Sequence, residues 1–264
     1  MAEKGYTVNS LNKAIDLIEN LVEHGPSSLA DLNNRLGLDK ATMYRLLSTL
    51  KNRGYVEQSQ VDHRYFNTIK MFQLGSREID RGGLRDLIRP YLKKLSSTFR
   101  EVVHLALLVE PGRAVCIDKV ESQPGRQPVR FEMSLGSDVS LYASSTGKAI
   151  LAFSSEERQN EALSQISFER FSSKTINNAA ALKKELRQTR RQGYAIDDGE
   201  AFESIYCLGV PILNFGGEAN AAISVTGPRD RMLEKKEEIV KALLENSREL
   251  SILYGYPAES WPPR

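Results

Sequence analysis

Residues 36–57 read LGLDKATMYRLLSTLKNRGYVE. Gly37-Leu38 marks a tight turn, and Asp39 is the kind of side chain that caps a helix N-terminus. Met43, Leu46, Leu47 and Leu50 then recur at helical spacing until Gly54 closes the helix. At about 100° per residue that apolar face leaves Ala41, Arg45, Ser48 and Asn52 pointing outward, with Thr42, Tyr44 and Thr49 on the flanks. Upstream, Leu29, Leu32 and Leu36 share one face of a shorter helix. Before it, Leu11, Ile15, Ile18 and Val22 follow Ser10, which reads as an N-cap, and Gly25-Pro26 stops that first helix. Downstream, Tyr55-Val56-Glu57 and Arg64-Tyr65-Phe66 flank a polar stretch through Asp62, the pattern of a two-stranded hairpin. Three short helices and a hairpin spell a winged helix-turn-helix, whose third helix meets base edges with its outward N-terminal face.

Charge placement agrees with that geometry. The chain of 264 residues carries 36 basic and 34 acidic side chains, a formal net charge of +2, which argues against a polycation that coats nucleic acid. Locally the balance is uneven. The first helix pits Lys13 against Asp16, Glu19 and Glu23, whereas residues 33–53 hold Arg35, Lys40, Arg45, Lys51 and Arg53 against Asp39 alone. The basic segment lies where a phosphate backbone would run.

Beyond the hairpin, residues 69–79 read as a short helix, and Leu84, Leu87, Ile88, Tyr91, Leu92 and Leu95 form an amphipathic helix interrupted or kinked at Pro90. Its wide apolar stripe must pack on one of the domains or on a second copy of the chain. Strand patterns follow at 102–108 and 114–120 around Glu110-Pro111-Gly112, with short apolar segments at Val129–Phe131 and Leu141–Ala143. Helices are expected at 146–153, 155–165 and 180–192, strands at 194–196, 207–213 and 219–225, and a last helix through Ile239, Val240, Leu243, Leu244 and Leu250. The fold class is therefore α+β, with residues 1–70 as a winged helix-turn-helix domain, 71–100 as a linker helix region and 101–264 as a sensor-like domain.

Several chemistries are excluded. Cys116 and Cys207 are the only cysteines, so neither a disulfide scaffold nor a cysteine-rich zinc site is available. The N-terminus lacks the apolar core of a signal peptide, and no apolar run approaches the ~20 residues of a membrane span, so a cytoplasmic, reduced location without membrane contact is expected. The stretch Ser144-Ser145-Thr146-Gly147-Lys148-Ala149 imitates the tail of a phosphate loop, yet Tyr142 stands where that motif needs glycine and Ala149 where it needs Ser or Thr. There is no Gly-x-Ser-x-Gly elbow, and His24, His63 and His104 lack ligand spacing. His104, in an apolar strand, reads as a satisfied buried histidine. Asp197, Asp198 and Glu200 face no second acidic cluster and suit a turn leaving a strand. No catalytic residue, metal ligand or cofactor site is assigned. A small-metabolite enzyme in the second domain is the rival reading, and it lacks an identifiable nucleophile or base. Binding fits better: Gly147 after three hydroxyl residues opens a helix toward a small anion, and Ser224 and Thr226 project from one face of a strand.

The residues that carry a resemblance are LGLDKATMYRLLSTLKNRGYVE, RYFNTIKMFQLG (64–75), REVVHLALL (100–108), LYASSTGKAILA (141–152), ALKKELRQTRRQGYAIDDGE (181–200), YCLGVPI (206–212) and AAISVTGP (221–228). In this order they resemble the IclR family of bacterial transcriptional regulators over nearly the whole length. The resemblance implies a winged-helix domain, a linker helix and a GAF-like effector-binding domain, assembled as homodimers or tetramers on palindromic double-stranded DNA operators near catabolic operons. It implies a small organic-acid effector, such as a keto acid, sugar acid or aromatic acid, held by Ser145, Thr146, Asp197, Cys207, Ser224 and Thr226. Against the family pattern, Ser145 stands where glycine is frequent, Gly209 where alanine is common, and Ser204-Ile205-Tyr206 lacks the usual arginine. On the DNA side, Lys40, Arg45 and Arg53 are expected on phosphates or guanine edges, and Ala41 and Thr42 against thymine methyls. Tyr44 is expected beside them and Arg64 on the wing. Repression is the expected sense of regulation.

Overall fold

The structure, a computed structural model, describes residues 7–74, 84–121 and 133–261. The chain divides into two compact units, residues 1–82 and 83–264.

In the first unit, α1 (Asn9–His24), α2 (Leu29–Leu36) and α3 (Lys40–Asn52) are followed by β1 (Val56–Gln58) and β2 (Tyr65–Asn67). Ser10 does not cap α1. Asn9 is already helical and Val8, in extended conformation, is the cap residue without a side-chain bond. The second helix instead has a reciprocal cap that the apolar pattern did not reveal: Ser28 Oγ accepts from Asp31 N, and Asp31 Oδ2 accepts from Ser28 N, each at 3.2 Å. Gly37 ends α2 at φ 63°, ψ 24°, a left-handed conformation that lets the chain turn within three residues into α3. Asp39 caps α3 by accepting from Thr42 N at 2.9 Å. Leu17, Leu21, Leu32, Met43, Leu47, Leu50, Val56 and Tyr65 form one buried core. The hairpin is tied to the helices: Ser27 and Tyr65 exchange both backbone bonds (2.9 and 2.8 Å), and Asn67 Nδ2 donates to the Ile18 carbonyl at 2.9 Å. Residues 70–74 are helical after the hairpin.

The second unit is built on a six-stranded antiparallel sheet of order β5-β4-β3-β8-β7-β6. The strands are β3 (Val102–Glu110), β4 (Arg113–Val120), β5 (Asp138–Val139), β6 (Ala195–Asp198), β7 (Ile205–Leu213) and β8 (Ala219–Pro228). One face packs against α4 (Leu84–Phe99), α8 (Arg229–Glu234) and α9 (Lys236–Leu253). The other carries α5 (Ser145–Ala152), α6 (Glu156–Gln165) and α7 (Ala179–Gln192). Along β7, Tyr206, Leu208, Val210 and Ile212 point to the first face, and the alternate residues point to the second, so the strand is buried on both sides.

The apolar stripe of α4, expected to pack on one of the domains or on a second copy, packs within the second unit through Ile88, Leu92, Leu95 and Phe99. Pro90 lies inside that continuous helix. Burial of the stripe outweighs the backbone bond that proline removes. Leu141–Ala143 is a turn leading into α5, and the short strand of this region is Asp138–Val139. The segment Val129–Phe131 and the end of the helix expected over 69–79 lie outside the described residues.

Candidate functional site

On α3, Met43, Leu47 and Leu50 are buried, which turns Lys40, Ala41, Tyr44 and Arg45 to solvent and leaves Thr42 half-buried at the capped N-terminus. Lys40 and Arg45 make no ion pair among the described residues. Arg53 is exposed just past the helix, and its carbonyl accepts from Lys70 Nζ. Arg64, on the hairpin, pairs loosely with Asp62 at 3.7 Å. Two members of the basic segment are otherwise engaged. Arg35 donates to Ser27 Oγ (3.0 Å) and Asn20 Oδ1 (3.3 Å), bracing the domain, and Lys51 lies 4.0 Å from Glu57. Of the residues expected at DNA, Lys40, Arg45 and Arg53 have no ion pair among the described residues, and Arg64 has only its loose pair with Asp62.

The second unit carries a solvent-open cavity of about 800 Å³ between the sheet and the start of α5. Ser145, Thr146, Asp197, Cys207, Ser224 and Thr226 all line it. Register explains how residues from so far apart converge. Asp197, Cys207 and Thr226 are successive cross-strand partners over β6, β7 and β8. Gly209, Ser224 and His104 form the next row on the same face. Gly209 leaves room for α5: a Cβ there would lie 2.8 Å from the Ser145 carbonyl carbon and oxygen. Gly147 is equally confined, since an added Cβ would fall 2.3 Å from the Ser140 oxygen. The first turn of α5 is thus pressed onto the sheet at the cavity. Ser144 caps it by accepting from Gly147 N at 3.0 Å, which leaves the N–H groups of Ser145 and Thr146 to meet an anion.

Electrostatics set what this floor can do. Burial drives the His104 imidazole down to about 3, so the ring is neutral, with Nδ1 lying 3.4 Å from Thr226 Oγ1. Burial raises the Asp197 carboxyl above its ordinary range, against the pull of Lys148, and Asp197 Oδ1 accepts from Glu200 N at 2.7 Å. Burial likewise holds the Cys207 thiol well above its usual value, with the Asp197 charge adding to the effect. A protonated thiol donates a hydrogen bond and makes a poor nucleophile.

Matching the chain against known families settles its ancestry. The description "Bacterial transcriptional regulator IclR C-terminal" fits residues 77–252, and "IclR helix-turn-helix domain" fits residues 10–60. The chain belongs to the IclR family. It is 32% identical over 254 residues to the HTH-type transcriptional regulator KdgR of Dickeya chrysanthemi, covering 95% of this chain and 81% of that one. The crystal structure of the Thermotoga maritima IclR superposes with a TM-score of 0.75 at 32% identity, covering 94% of this chain and 99% of that one. An IclR homologue from Microbacterium hydrocarbonoxydans, solved with 4-hydroxybenzoate, shares the fold at a TM-score of 0.75 and 22% identity, over 91% of this chain and 100% of that one. This IclR-family protein is a transcriptional regulator with a helix-turn-helix DNA-binding domain and a C-terminal effector domain, and the family is not one of enzymes.

Sequence reasoning missed several cavity neighbours of this regulator. His104 was legible from β3 alternation, because Val103 and Leu105 face the other core. Ser140 immediately precedes the motif at 141–152, and Ser144 lies within it as one of the three hydroxyl residues before Gly147. Phe171 and Phe202, half-exposed at the lining, come from loops with no periodic signal. Among the described residues no cluster of His, Cys, Asp or Glu suits a metal ion, and Asp198 is taken by Arg229 (2.6 and 3.2 Å) and Lys174 (3.2 Å). No helix is long and apolar enough to cross a membrane among the described residues.

Proposed function

We propose that this chain represses a catabolic operon from a palindromic operator and is released or retuned when a small organic acid enters the second unit. In this reading Lys40, Arg45 and Arg53 contact phosphates or guanine edges, and Ala41 and Thr42 offer methyls to thymine. Tyr44 lies beside them, and Arg64 reaches the adjacent backbone or minor groove. The protein acts in the cytoplasm as a homodimer or tetramer. Residues 71–100 serve as the linker region between the DNA-reading and sensing parts.

The observation that carries the proposal is the convergence of six residues in one 800 Å³ cavity with the first turn of α5 at its wall. An effector carboxylate sits at the N–H groups of Ser145 and Thr146, and its remaining polar groups meet Ser224, Thr226, Cys207 and Asp197. A cavity of this size suits a small metabolite. Effector coupling of ~1–3 kcal/mol changes operator affinity about 5- to 150-fold.

The test is a thermal-shift panel of keto, sugar and aromatic acids on the full chain, followed by operator titration with the acid that raises the melt. The expected result is weaker operator binding with that acid present, and loss of the response in Cys207→Ser and Asp197→Ala while unliganded DNA binding persists. Variants that lose DNA binding yet keep the melt shift would move the effector elsewhere.

A further inference from the structure

Lys148, on α5 directly behind the cavity, is 0% exposed. An isolated buried ammonium is strongly unfavourable, so its surroundings must compensate it. Its Nζ donates to Glu200 Oε1, and Glu185 Oε1 lies 3.8 Å away. Asp197 adds a third carboxylate that feels the same charge. Every element packed here contributes: Lys148 from α5, Glu185 from α7, Asp197 and Glu200 from β6 and the turn after it, and the Cys207 thiol from β7. Asp198 does not take part, being paired with Arg229 and Lys174. The His104 ring, across the cavity, is neutral. Three carboxylates around one ammonium leave the cluster two charges negative when all are ionised.

Two details show where the imbalance is relieved. Glu200 Oε2 is buried with no hydrogen-bond partner among the described residues, an unfavourable state for a charged oxygen and a natural seat for a proton. Asp197 faces both ways, since its carboxyl lines the cavity while its Oδ1 accepts the Glu200 N–H. The turn that joins them is fixed, because Ser172 Oγ donates to the Gly199 carbonyl and Thr175 Oγ1 to that of Glu200, each at 2.7 Å. Burial pushes the Glu200 carboxyl up to about 7, so the cluster is half-loaded with a proton near neutrality.

We propose that Asp197, Glu200 and Lys148 form a proton-accepting cluster under the effector cavity, so that binding of an anionic effector takes up about one proton from solvent. This rests on the reading of the cavity as an organic-acid site. A guest carboxylate held at the start of α5 brings a negative charge into the pocket that Asp197 also lines, and a nearby like charge raises the cluster's hold on a proton. The anion and one proton enter together: the proton leaves solvent and forms an O–H bond on the Glu200 carboxyl, where Oε2 is the oxygen without a hydrogen-bond partner among the described residues. Glu200 and Lys148 are positioning residues, acting on the guest through Asp197. Affinity for an acid then falls about tenfold per pH unit above neutrality and levels off below it.

The experiment is isothermal titration of the full chain with pyruvate, D-glucuronate and benzoate, each at pH 7.5 in phosphate and in Tris, whose ionisation enthalpies differ. For an acid that binds, the two enthalpies are expected to differ by about half to one times the difference between the buffers' ionisation enthalpies, an uptake of about half to one proton per ligand. Glu200→Gln, nearly isosteric, is expected to bind with no buffer difference and with affinity flat from pH 6.5 to about 8.5. A merely structural Glu200 would lower the melting temperature without altering the proton count. Equal enthalpies in both buffers for a bound acid overturn the cluster and leave the effector reading intact. No heat and no melt shift with any of the three acids at millimolar concentration overturns both.

Discussion

Ser145 and Gly209 meet where α5 touches β7, and their side chains divide one small space. Where the family resemblance leads to the expectation of glycine at the first position and alanine at the second, this chain holds serine and glycine. An added Cβ at Gly209 would lie 3.0 Å from Ser145 Cβ and 2.8 Å from the Ser145 carbonyl carbon and oxygen. The two departures therefore read as a single exchange: the side chain gained on the helix is the one given up on the strand. Gly209→Ala is expected to destabilise the protein by ~1–3 kcal/mol, the usual range for overpacking. In the Ser145→Gly/Gly209→Ala double variant part of that loss returns, because the Cβ–Cβ conflict disappears, and the remainder reports the backbone contact. Denaturant unfolding of the four proteins yields the coupling, expected above ~0.5 kcal/mol. Strict additivity would mean that the two positions are independent. The exchange also places the Ser145 hydroxyl at the cavity wall, so a residue chosen by packing alters what the effector touches.

Among the elements, α3 bears the DNA-reading prediction. Arg45 is exposed opposite Met43 and Leu47 and has no ion-pair partner among the described residues, so its guanidinium is available to a base or a phosphate. Arg45→Ala is expected to cost about 1–3 kcal/mol of operator affinity and to relax preference at one base pair per half-site, as read by gel-shift titration against single-base operator variants. Affinity and preference both unchanged would remove Arg45 from the reading face. That helix was fully legible in the sequence because cap, apolar period and closing glycine all pointed to one answer. The start of α1 was less so: Ser10 is a good capping residue one step inside a helix that begins without any side-chain cap. Pro90 signalled an interruption or a kink, and the helix runs through it without interruption because burial of the α4 stripe outweighs the lost backbone bond. Leu141–Ala143 was legible only as a short apolar segment, because such runs carry no period that separates strand from buried turn. The strand hydroxyls of the cavity were readable from alternation, whereas Lys148 and Glu200 lie 52 positions apart and meet only through the register of β6 against β7 and the docking of α5.

At the scale of the whole chain, the buried cores sort cleanly between the two units. Every buried member of the helix-turn-helix core, from Leu17 to Tyr65, belongs to residues 1–82. The two cores flanking the six-stranded sheet draw their buried members from residues 83–264 alone. Each unit thus has what it needs to fold on its own hydrophobic burial. The cavity, lined from His104 to Thr226, lies wholly in the second. A ligand that binds only the folded second unit adds stability there by mass action, about 2.7 kcal/mol at a hundredfold excess over its dissociation constant. Scanning calorimetry is therefore expected to show two transitions, with an effector acid raising only the one that belongs to residues 83–264. Leu47→Ala, which empties a buried site in the first core, should cost ~2–5 kcal/mol and lower only the other transition. A single transition that moves as a whole under either perturbation would show that the two cores unfold together, and a sensing unit coupled so tightly would pass effector binding to the DNA-reading unit through stability itself.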